Sequence, residues 1–241
     1  VSVFEKINKR WGFVGWLANL CTLTINFFYV VVAGWVLRYA VQFIISGDFG
    51  GDSSIFFQHF ITDPVRPLLY SFLVLAVTAF LLFFGITELV EKISKIMLPA
   101  LFVLLAVCGI YACFAAEGAL DGLKYYLLPD FKKMSFKVFA DAATQVLFSV
   151  GIGWGIFTTL GANVPKTNQI ARDSLFISIM DTSAAVLAGF VIIPAAFGAG
   201  VDVQKGPALL FDVMAGIFGS LPGGRWIGCL FFTALLIASF S

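Results

Sequence analysis

The stretch Gly151-Ile152-Gly153-Trp154-Gly155 places three glycines within five residues of an apolar run that covers residues 139–160. The run is long enough to cross a bilayer as a helix. Each glycine inside a helix costs roughly 1 kcal/mol relative to alanine, so the helix is predicted to break at its midpoint. Unwound backbone at membrane depth is tolerated only where it is buried in protein or lines a cavity. The stretch therefore predicts a binding site at a broken helix.

The same stretch has a second interpretation as a helix-packing motif. Gly151 and Gly155 have the spacing that lets two membrane helices approach closely. Gly153, which lies between them, favours the break. Hydroxyl groups at Ser149, Thr158 and Thr159 can bond backbone groups that a break would free.

The composition is typical of a membrane protein. The 241 residues are 60% hydrophobic and include 28 Phe, and the mean hydropathy is +0.99. Only 12% of the residues are charged, whereas a soluble domain carries about 25%. The net charge of +1 does not indicate a nucleic-acid partner. The sequence predicts a polytopic protein of the lipid bilayer.

Six apolar runs are candidates for membrane spans, since a spanning helix needs about 20 apolar residues. Pro99 falls in the first turn of the third run, where its missing N–H would be harmless. A shorter run, residues 207–219, predicts a surface or re-entrant helix. All belong to one predicted transmembrane domain, residues 1–241. The six runs are residues 11–45, 67–85, 96–115, 139–160, 174–197 and 225–241.

Two ionisable residues, Arg38 and Asp181, fall well inside these spans. An intramembrane carboxylate is costly unless it is paired, so Asp181 is interpreted as functional, with a helix-packing or protonated carboxyl as the alternative. Arg38 is close enough to the end of its span to snorkel to the interface. The spans contain no nucleophile–base pair, metal cluster or paired carboxylates, so no enzyme activity is predicted.

Motifs along the whole chain resemble those of one transporter family. Trp11-Gly-Phe-Val-Gly-Trp and Tyr29-Val-Val-Val-Ala-Gly-Trp are followed by Gln145-Val-Leu-Phe-Ser-Val-Gly-Ile-Gly-Trp-Gly. Asp181 comes next, with Leu187-Ala-Gly-Phe-Val-Ile-Ile-Pro after it. In this order they resemble the third, sixth and seventh helices of the neurotransmitter:sodium symporter family, in its bacterial, leucine-transporter-like branch of amino-acid transporters.

The resemblance implies a fold and an orientation. The expected fold is an all-α membrane protein with a partial leucine-transporter-like inverted repeat, the fourth of its six spans being unwound at 151–155. The six spans would be helices three to eight of twelve. Apart from Arg38 inside the first span, the Lys and Arg residues divide evenly, seven to each side, and do not orient the chain. The resemblance implies that Val1 is cytoplasmic in a multi-pass protein of the plasma (inner) membrane.

The resemblance also implies a substrate site. Tyr29 matches a tyrosine whose hydroxyl contacts the substrate carboxylate, and Ile25 matches a pocket residue one turn earlier. Phe148 matches an aromatic lid over the substrate. Gly151 and Trp154 match positions of the side-chain pocket, where Gly151 leaves room for a larger side chain and Trp154 takes volume back. A hydrophobic amino acid is expected, and its size stays open.

Sodium ligands are implied by the same comparison. Ser149, which also belongs to the expected substrate site, and Asp181 match ligands of a first sodium ion. Ala238 and Ser241 match a backbone carbonyl and a hydroxyl at a second. Sodium prefers hard oxygen ligands, and these residues supply them. Asp181 would add fixed negative charge.

Chloride is not expected to be required. Gln145 matches a chloride-site residue and is interpreted as a possible remnant of that site. Ala185 stands where chloride-dependent members of the family have a serine. Two positions depart from the family's inner gate: Asn163 replaces a tyrosine, and Leu89 replaces a glycine ten residues before the proline that matches Pro99.

Two functions are compared. The first is sodium-coupled symport of an amino acid by alternating access, the chain being an incomplete part of a carrier whose missing helices are its partners. Its abrupt start at Val1 and its end at Ser241, inside an apolar run, favour this hypothesis. The alternative is a truncated membrane subunit or remnant that does not transport and has a structural role. The isolated chain is not expected to transport.

Overall fold

The computed structural model describes residues 2–51, 53–85, 87–115, 118–164, 169–204, 206–221 and 223–240. Within these residues it contains helices and no strand, which confirms the all-α prediction. Short 3-10 turns lie at Lys9–Trp11 and Phe131–Lys133. The α-helices are α1 (Ser2–Ile7), α2 (Gly12–Ile45), α3 (Ser53–Thr62), α4 (Arg66–Phe83), α5 (Thr87–Ala115), α6 (Ala119–Leu127), α7 (Phe136–Val150), α8 (Ile156–Asn163), α9 (Ile170–Gly198), α10 (Ala208–Ser220) and α11 (Gly224–Phe240).

Four helical segments in the described part of the chain are long and apolar enough to cross a bilayer. The predicted fourth span is divided between α7 and α8, and the predicted sixth is the shorter apolar helix α11. The number of six spans therefore stays a prediction. The four segments are Lys9–Ile45, Arg66–Phe83, Glu91–Phe114 and Ile170–Gly198.

The helix break predicted at the glycine stretch is confirmed. Helix α7 ends at Val150 and α8 begins at Ile156. Gly151, Gly153 and Gly155 have φ angles of 78°, 93° and 78°, in the left-handed region that glycine adopts without strain. The interpretation of Gly151 and Gly155 as a helix-packing pair is wrong, because neither residue lies in a helix.

Helix α5 begins at Thr87, well before the predicted start of the third span at residue 96. Pro99 consequently lies in the helix interior, so its predicted place in the first turn is wrong. A proline there leaves the carbonyl four residues earlier without its helical donor. The charged first turns are helical as well, and Glu91 and Lys95 form an i,i+4 ion pair of 2.7 Å along them.

The helices form two compact units. Unit 1 comprises Val1–Phe28 and Pro129–Ala185, and unit 2 comprises Tyr29–Leu128 and Val186–Ser241. Helices α2 and α9 contribute residues to both. Among the described residues, the buried hydrophobic side chains belong to unit 2.

Aromatic rings fill the core of unit 2. Phe57 of α3 stacks on Phe211 of α10, with 5.4 Å between ring centroids and 4° between ring planes. The Tyr39 ring lies 5.1 Å from both Phe211 and Phe232. Such pairs add about 0.5–1.5 kcal/mol each beyond the burial of their area. Helix α10, which was predicted as a surface or re-entrant helix, is thus packed into unit 2.

Arg225 joins the first turn of α11 to the last turn of α2. Its Nε donates to the Phe43 carbonyl at 3.2 Å, and its Nη2 donates to the carbonyls of Ile44 at 2.6 Å and Ile45 at 2.9 Å. The last carbonyls of a helix lack helical donors and carry partial negative charge, which a guanidinium satisfies. Gly228 faces the Phe43 ring, where an added Cβ would approach to 2.3 Å.

Arg38 is held by side chains of unit 2. Its Nη1 donates to Oε1 of Gln42 at 2.9 Å. The guanidinium carbon lies 4.8 Å from the ring centroid of Phe56 and 5.8 Å from that of Tyr70. These cation–π contacts offset part of the cost of removing the charge from water. The guanidinium therefore has partners within the protein and does not depend on snorkelling.

Candidate functional site

A hydroxyl and a carboxylate meet beside the helix break in unit 1. Oγ of Ser149, on the last turn of α7, lies 2.8 Å from both Oδ1 and Oδ2 of Asp181, on α9. The hydroxyl has one proton and donates it to one carboxylate oxygen at a time. Ser149 thus bonds Asp181 rather than backbone freed by the break. Oxygens of these two kinds are the hard ligands that small cations prefer.

The backbone turn that follows Ser149 ends α7. The Gly151 N–H donates to the carbonyls of Leu147 at 3.1 Å and Phe148 at 3.2 Å, and the Ile152 N–H donates to Leu147 at 2.9 Å. This is a Schellman motif, which needs a left-handed residue at Gly151. Gly151 is buried, yet an added Cβ would meet only Cδ1 of Ile156, at 3.9 Å. The left-handed backbone conformation, and not a lack of space for a side chain, therefore favours glycine at position 151.

Two aromatic rings meet across the break. Phe148, from the last turn of α7, packs edge-on against Trp154 of the unwound stretch, with 5.0 Å between centroids and 66° between planes. Phe148 is 40% exposed, and Trp154 is half-buried. The two rings form a partly exposed apolar surface, from the residue before Ser149 and the fifth residue after it.

Helix α2 contacts the unwound stretch. The Thr22 hydroxyl contacts the Trp154 carbonyl and lies 3.0 Å from the carbonyl of Ala18. An added Cβ on Gly155 would lie 3.3 Å from Cβ of Ala18. On the other side, the Thr158 hydroxyl donates to the Gly155 carbonyl at 2.5 Å, which also accepts the Thr158 N–H at 3.2 Å as the first hydrogen bond of α8, so this threonine reinforces the start of α8 and does not bond an unpaired carbonyl.

Sequence reasoning did not single out Thr22. It is one of two threonines in the apolar run Cys21-Thr22-Leu23-Thr24, and nothing in that run separates them. The only available signal was general: a carbonyl freed by a break needs a donor, which must come from a neighbouring element.

A cavity of about 380 Å³ lies beside the break in unit 1. Leu17, Ala18 and Cys21 of α2 line one side, and Gly153 and Gly155 line another. The unwound backbone therefore borders a cavity, which is one of the two conditions under which it is tolerated at membrane depth.

The other predicted residues of unit 1 lie on its helices. Ile25 is half-buried on α2. Gln145 is exposed on α7, one turn before Ser149, and Ala185 is exposed on α9, one turn after Asp181.

Two predicted site residues belong to unit 2: Tyr29 is 51% exposed on α2, and Ala238 is half-buried on α11. Ser241 lies outside the described residues, as does the side chain of Asn163. Leu89 is 53% exposed on α5, which runs as one helix past this position to Pro99 and beyond.

Comparison with known proteins places the chain in a family. The sequence model of the Sodium:neurotransmitter symporter family matches residues 61–241. The chain is 31% identical to an uncharacterized sodium-dependent transporter of Bacillus subtilis, over 97% of this chain and 51% of that protein. It is 30% identical to one of Haemophilus influenzae, over 97% of this chain and 52% of that protein. The chain thus spans about half the length of the curated relatives it matches.

A solved structure has the same fold. The crystal structure of MhsT in complex with L-phenylalanine matches with a TM-score of 0.88 and 32% sequence identity, over 98% of this chain and 55% of that chain. The leucine-transporter-like fold expected from the motifs is thereby confirmed. With its apolar helices, its glycine break and these similarities, the chain is a multi-pass membrane protein that belongs to the sodium:neurotransmitter symporter family.

Proposed function

We propose that the protein is a sodium-coupled symporter of a hydrophobic amino acid and works by alternating access in the plasma (inner) membrane. Residues 1–241 would form part of its single transmembrane domain. The observation that carries the proposal is the pair of Ser149 and Asp181 beside the break of α7 and α8, in a chain of this family. Its activity is transport and not catalysis.

The first sodium ion binds between Ser149 and Asp181. Both groups offer hard oxygens, and the carboxylate supplies the negative charge that an ion needs on leaving water. Asp181 is half-buried, so its attraction for a cation is stronger than it would be in bulk water. On binding, the hydroxyl proton turns away from the carboxylate, and the oxygens of both residues face the ion. The carbonyl of Ala238 and the hydroxyl of Ser241 serve a second sodium ion.

The substrate site consists of the residues that the family resemblance implies. The Tyr29 hydroxyl holds its carboxylate, and Ile25 contacts its side chain. Phe148 covers the substrate, and Trp154 flanks its side chain. The apolar Phe148–Trp154 pair favours a hydrophobic amino acid, as does the similarity to a protein crystallised with L-phenylalanine. Gly151 completes the pocket, and its left-handed backbone keeps that position free of a side chain.

Transport does not require chloride. The carboxylate of Asp181 already supplies a fixed negative charge at the first sodium site. Ala185, one turn further along α9, has no hydroxyl to offer a halide. Gln145, one turn before Ser149, is interpreted as a remnant of a chloride site.

The remaining helices of the carrier complete this site. Ser149 is exposed in the structure, and the Phe148 side chain is 40% exposed. A bound ion and an apolar substrate need to be shielded from water, so further helices have to cover these residues. A chain that spans about half the length of its relatives leaves room for such partner helices.

Exchange of the carboxylate tests the proposal. Asp181→Ala in the full-length gene product is expected to abolish sodium-dependent binding of labelled L-phenylalanine, because the ion loses its charged ligand. Asp181→Asn keeps an oxygen and is expected to bind at a higher sodium concentration. Asp173→Ala removes an exposed carboxylate two turns earlier on α9 and should bind like wild type. Wild-type sodium dependence in Asp181→Ala would refute the assignment.

A further inference from the structure

We infer that Thr22 is a positioning residue whose hydroxyl holds the Trp154 carbonyl and so fixes the unwound stretch 151–155 in place. The contact joins α2 to the break within unit 1. The role of the fixed stretch in sodium and substrate binding rests on the proposed function. The contact itself and its effect on the backbone are independent of the proposed function.

The single proton of the Thr22 hydroxyl belongs with Trp154. The hydroxyl reaches two carbonyls, those of Ala18 and Trp154. The Ala18 carbonyl already accepts the helical N–H of Thr22, four residues later in α2. The Trp154 carbonyl lies before α8, whose first hydrogen bond runs from the Thr158 N–H to the Gly155 carbonyl at 3.2 Å. The proton therefore satisfies a carbonyl that the break has freed.

The surroundings give the stretch room to move if this bond is lost. Ala18, which faces Gly155 from α2, has only a methyl side chain and therefore offers the stretch no side-chain hydrogen bond. The adjoining cavity of about 380 Å³ is lined by Gly153 and by Cys21, the neighbour of Thr22. Gly153 has no atom within 4 Å of where a Cβ would stand.

Displacement of residues 151–155 would alter the proposed site in two ways. Trp154 carries the ring that packs against Phe148. Gly151 forms the cap that ends α7, two residues after Ser149. A shift of the stretch would thus alter both the aromatic pair and the position of the hydroxyl that faces Asp181.

Thr24 provides a matched control on the same helix. It is exposed, and its hydroxyl donates to the Leu20 carbonyl of α2 itself, at 2.9 Å. Replacing either threonine with valine removes one hydroxyl at nearly constant volume from the same apolar run. Only the change at Thr22 removes a contact with the break.

The experiment compares Thr22→Val, Thr22→Ser and Thr24→Val in the full-length gene product. Deuterium uptake of peptides that cover residues 151–158 reports on the backbone, and sodium titration of labelled L-phenylalanine binding reports on the site. Thr22→Val is expected to increase the uptake and to raise the sodium concentration for half-saturation about three- to tenfold, at an unchanged number of binding sites. Thr22→Ser should restore both values, and Thr24→Val should change neither.

Three results would overturn the inference. Unchanged deuterium uptake in Thr22→Val would mean that the hydroxyl does not hold the stretch. If deuterium uptake in Thr22→Val increased while the sodium concentration for half-saturation stayed unchanged, with or without a loss of binding sites, Thr22 would be a structural residue and not a positioning residue. An effect of Thr24→Val equal to that of Thr22→Val would remove its specificity. If wild type shows no sodium-dependent binding, the proposed function fails, while deuterium uptake still decides whether Thr22 holds the stretch.

Discussion

At the scale of single residues, Gly151 shows how backbone conformation and pocket shape are combined in one position. The family resemblance suggests that glycine leaves room for a larger substrate. The structure adds that Gly151 has a φ angle of 78° and closes the Schellman motif that ends α7. A side chain at this position therefore carries a conformational cost in addition to any effect on the substrate.

Replacement of Gly151 with alanine tests that cost. Gly151→Ala is expected to lower the free energy of unfolding by about 1 kcal/mol, since an alanine in the left-handed region is strained by roughly this amount. Gly161→Ala is the control, because Gly161 is helical in α8 and has open space where its Cβ would stand. Thermal unfolding of the two purified variants makes the comparison. An equal or higher midpoint for Gly151→Ala would contradict the structure at this turn.

The partner of Asp181 was beyond what the residues alone could predict. A carboxylate inside a span indicates that some partner exists, yet 32 residues separate it from Ser149. The resemblance assigned both residues to one ion site, and the structure adds the 2.8 Å contacts between them. Thr22 could not be found in this way, since a threonine in an apolar run is compatible with any position on a membrane helix.

At the scale of elements, glycine chemistry predicted the break of α7 and α8, whereas hydropathy misplaced the start of α5. The glycine prediction succeeded because the cost of glycine in a helix is local and depends little on neighbours. Hydropathy marks where a helix leaves the apolar layer, not where its hydrogen bonds end. The charged turns from Thr87 onwards, with the pair of Glu91 and Lys95, therefore extended α5 beyond its predicted start.

The junction of α2 and α11 gives a second test at this scale. Arg225→Met is expected to destabilise the protein by about 1–3 kcal/mol, because three carbonyls at the end of α2 lose a charged donor. Arg66→Met is the control, since the Arg66 side chain is 64% exposed in its ion pair with Asp63, and exposed pairs contribute about 0–1 kcal/mol. Thermal unfolding and deuterium uptake at residues 40–46 report the difference. Equal effects of the two substitutions would show that the guanidinium does not hold α2.

At the scale of the whole molecule, the order of the motifs was more informative than any one of them. Composition alone predicted a polytopic membrane protein, and the even division of Lys and Arg left its orientation open. The family motifs predicted a leucine-transporter-like fold, which the similarity to MhsT confirms. The division into two units, with the buried aromatic core in unit 2, was not predicted, because burial depends on contacts between distant segments.

The measurement that tests the central claim most directly is uptake of labelled L-phenylalanine into proteoliposomes that contain the full-length gene product. An inward sodium gradient should drive accumulation, equally well with chloride or with gluconate as the anion. Accumulation should vanish when potassium replaces sodium or when Asp181 is replaced with alanine. Uptake that does not depend on the sodium gradient would contradict a sodium-coupled symporter, and uptake lost in gluconate alone would contradict the chloride-independent site.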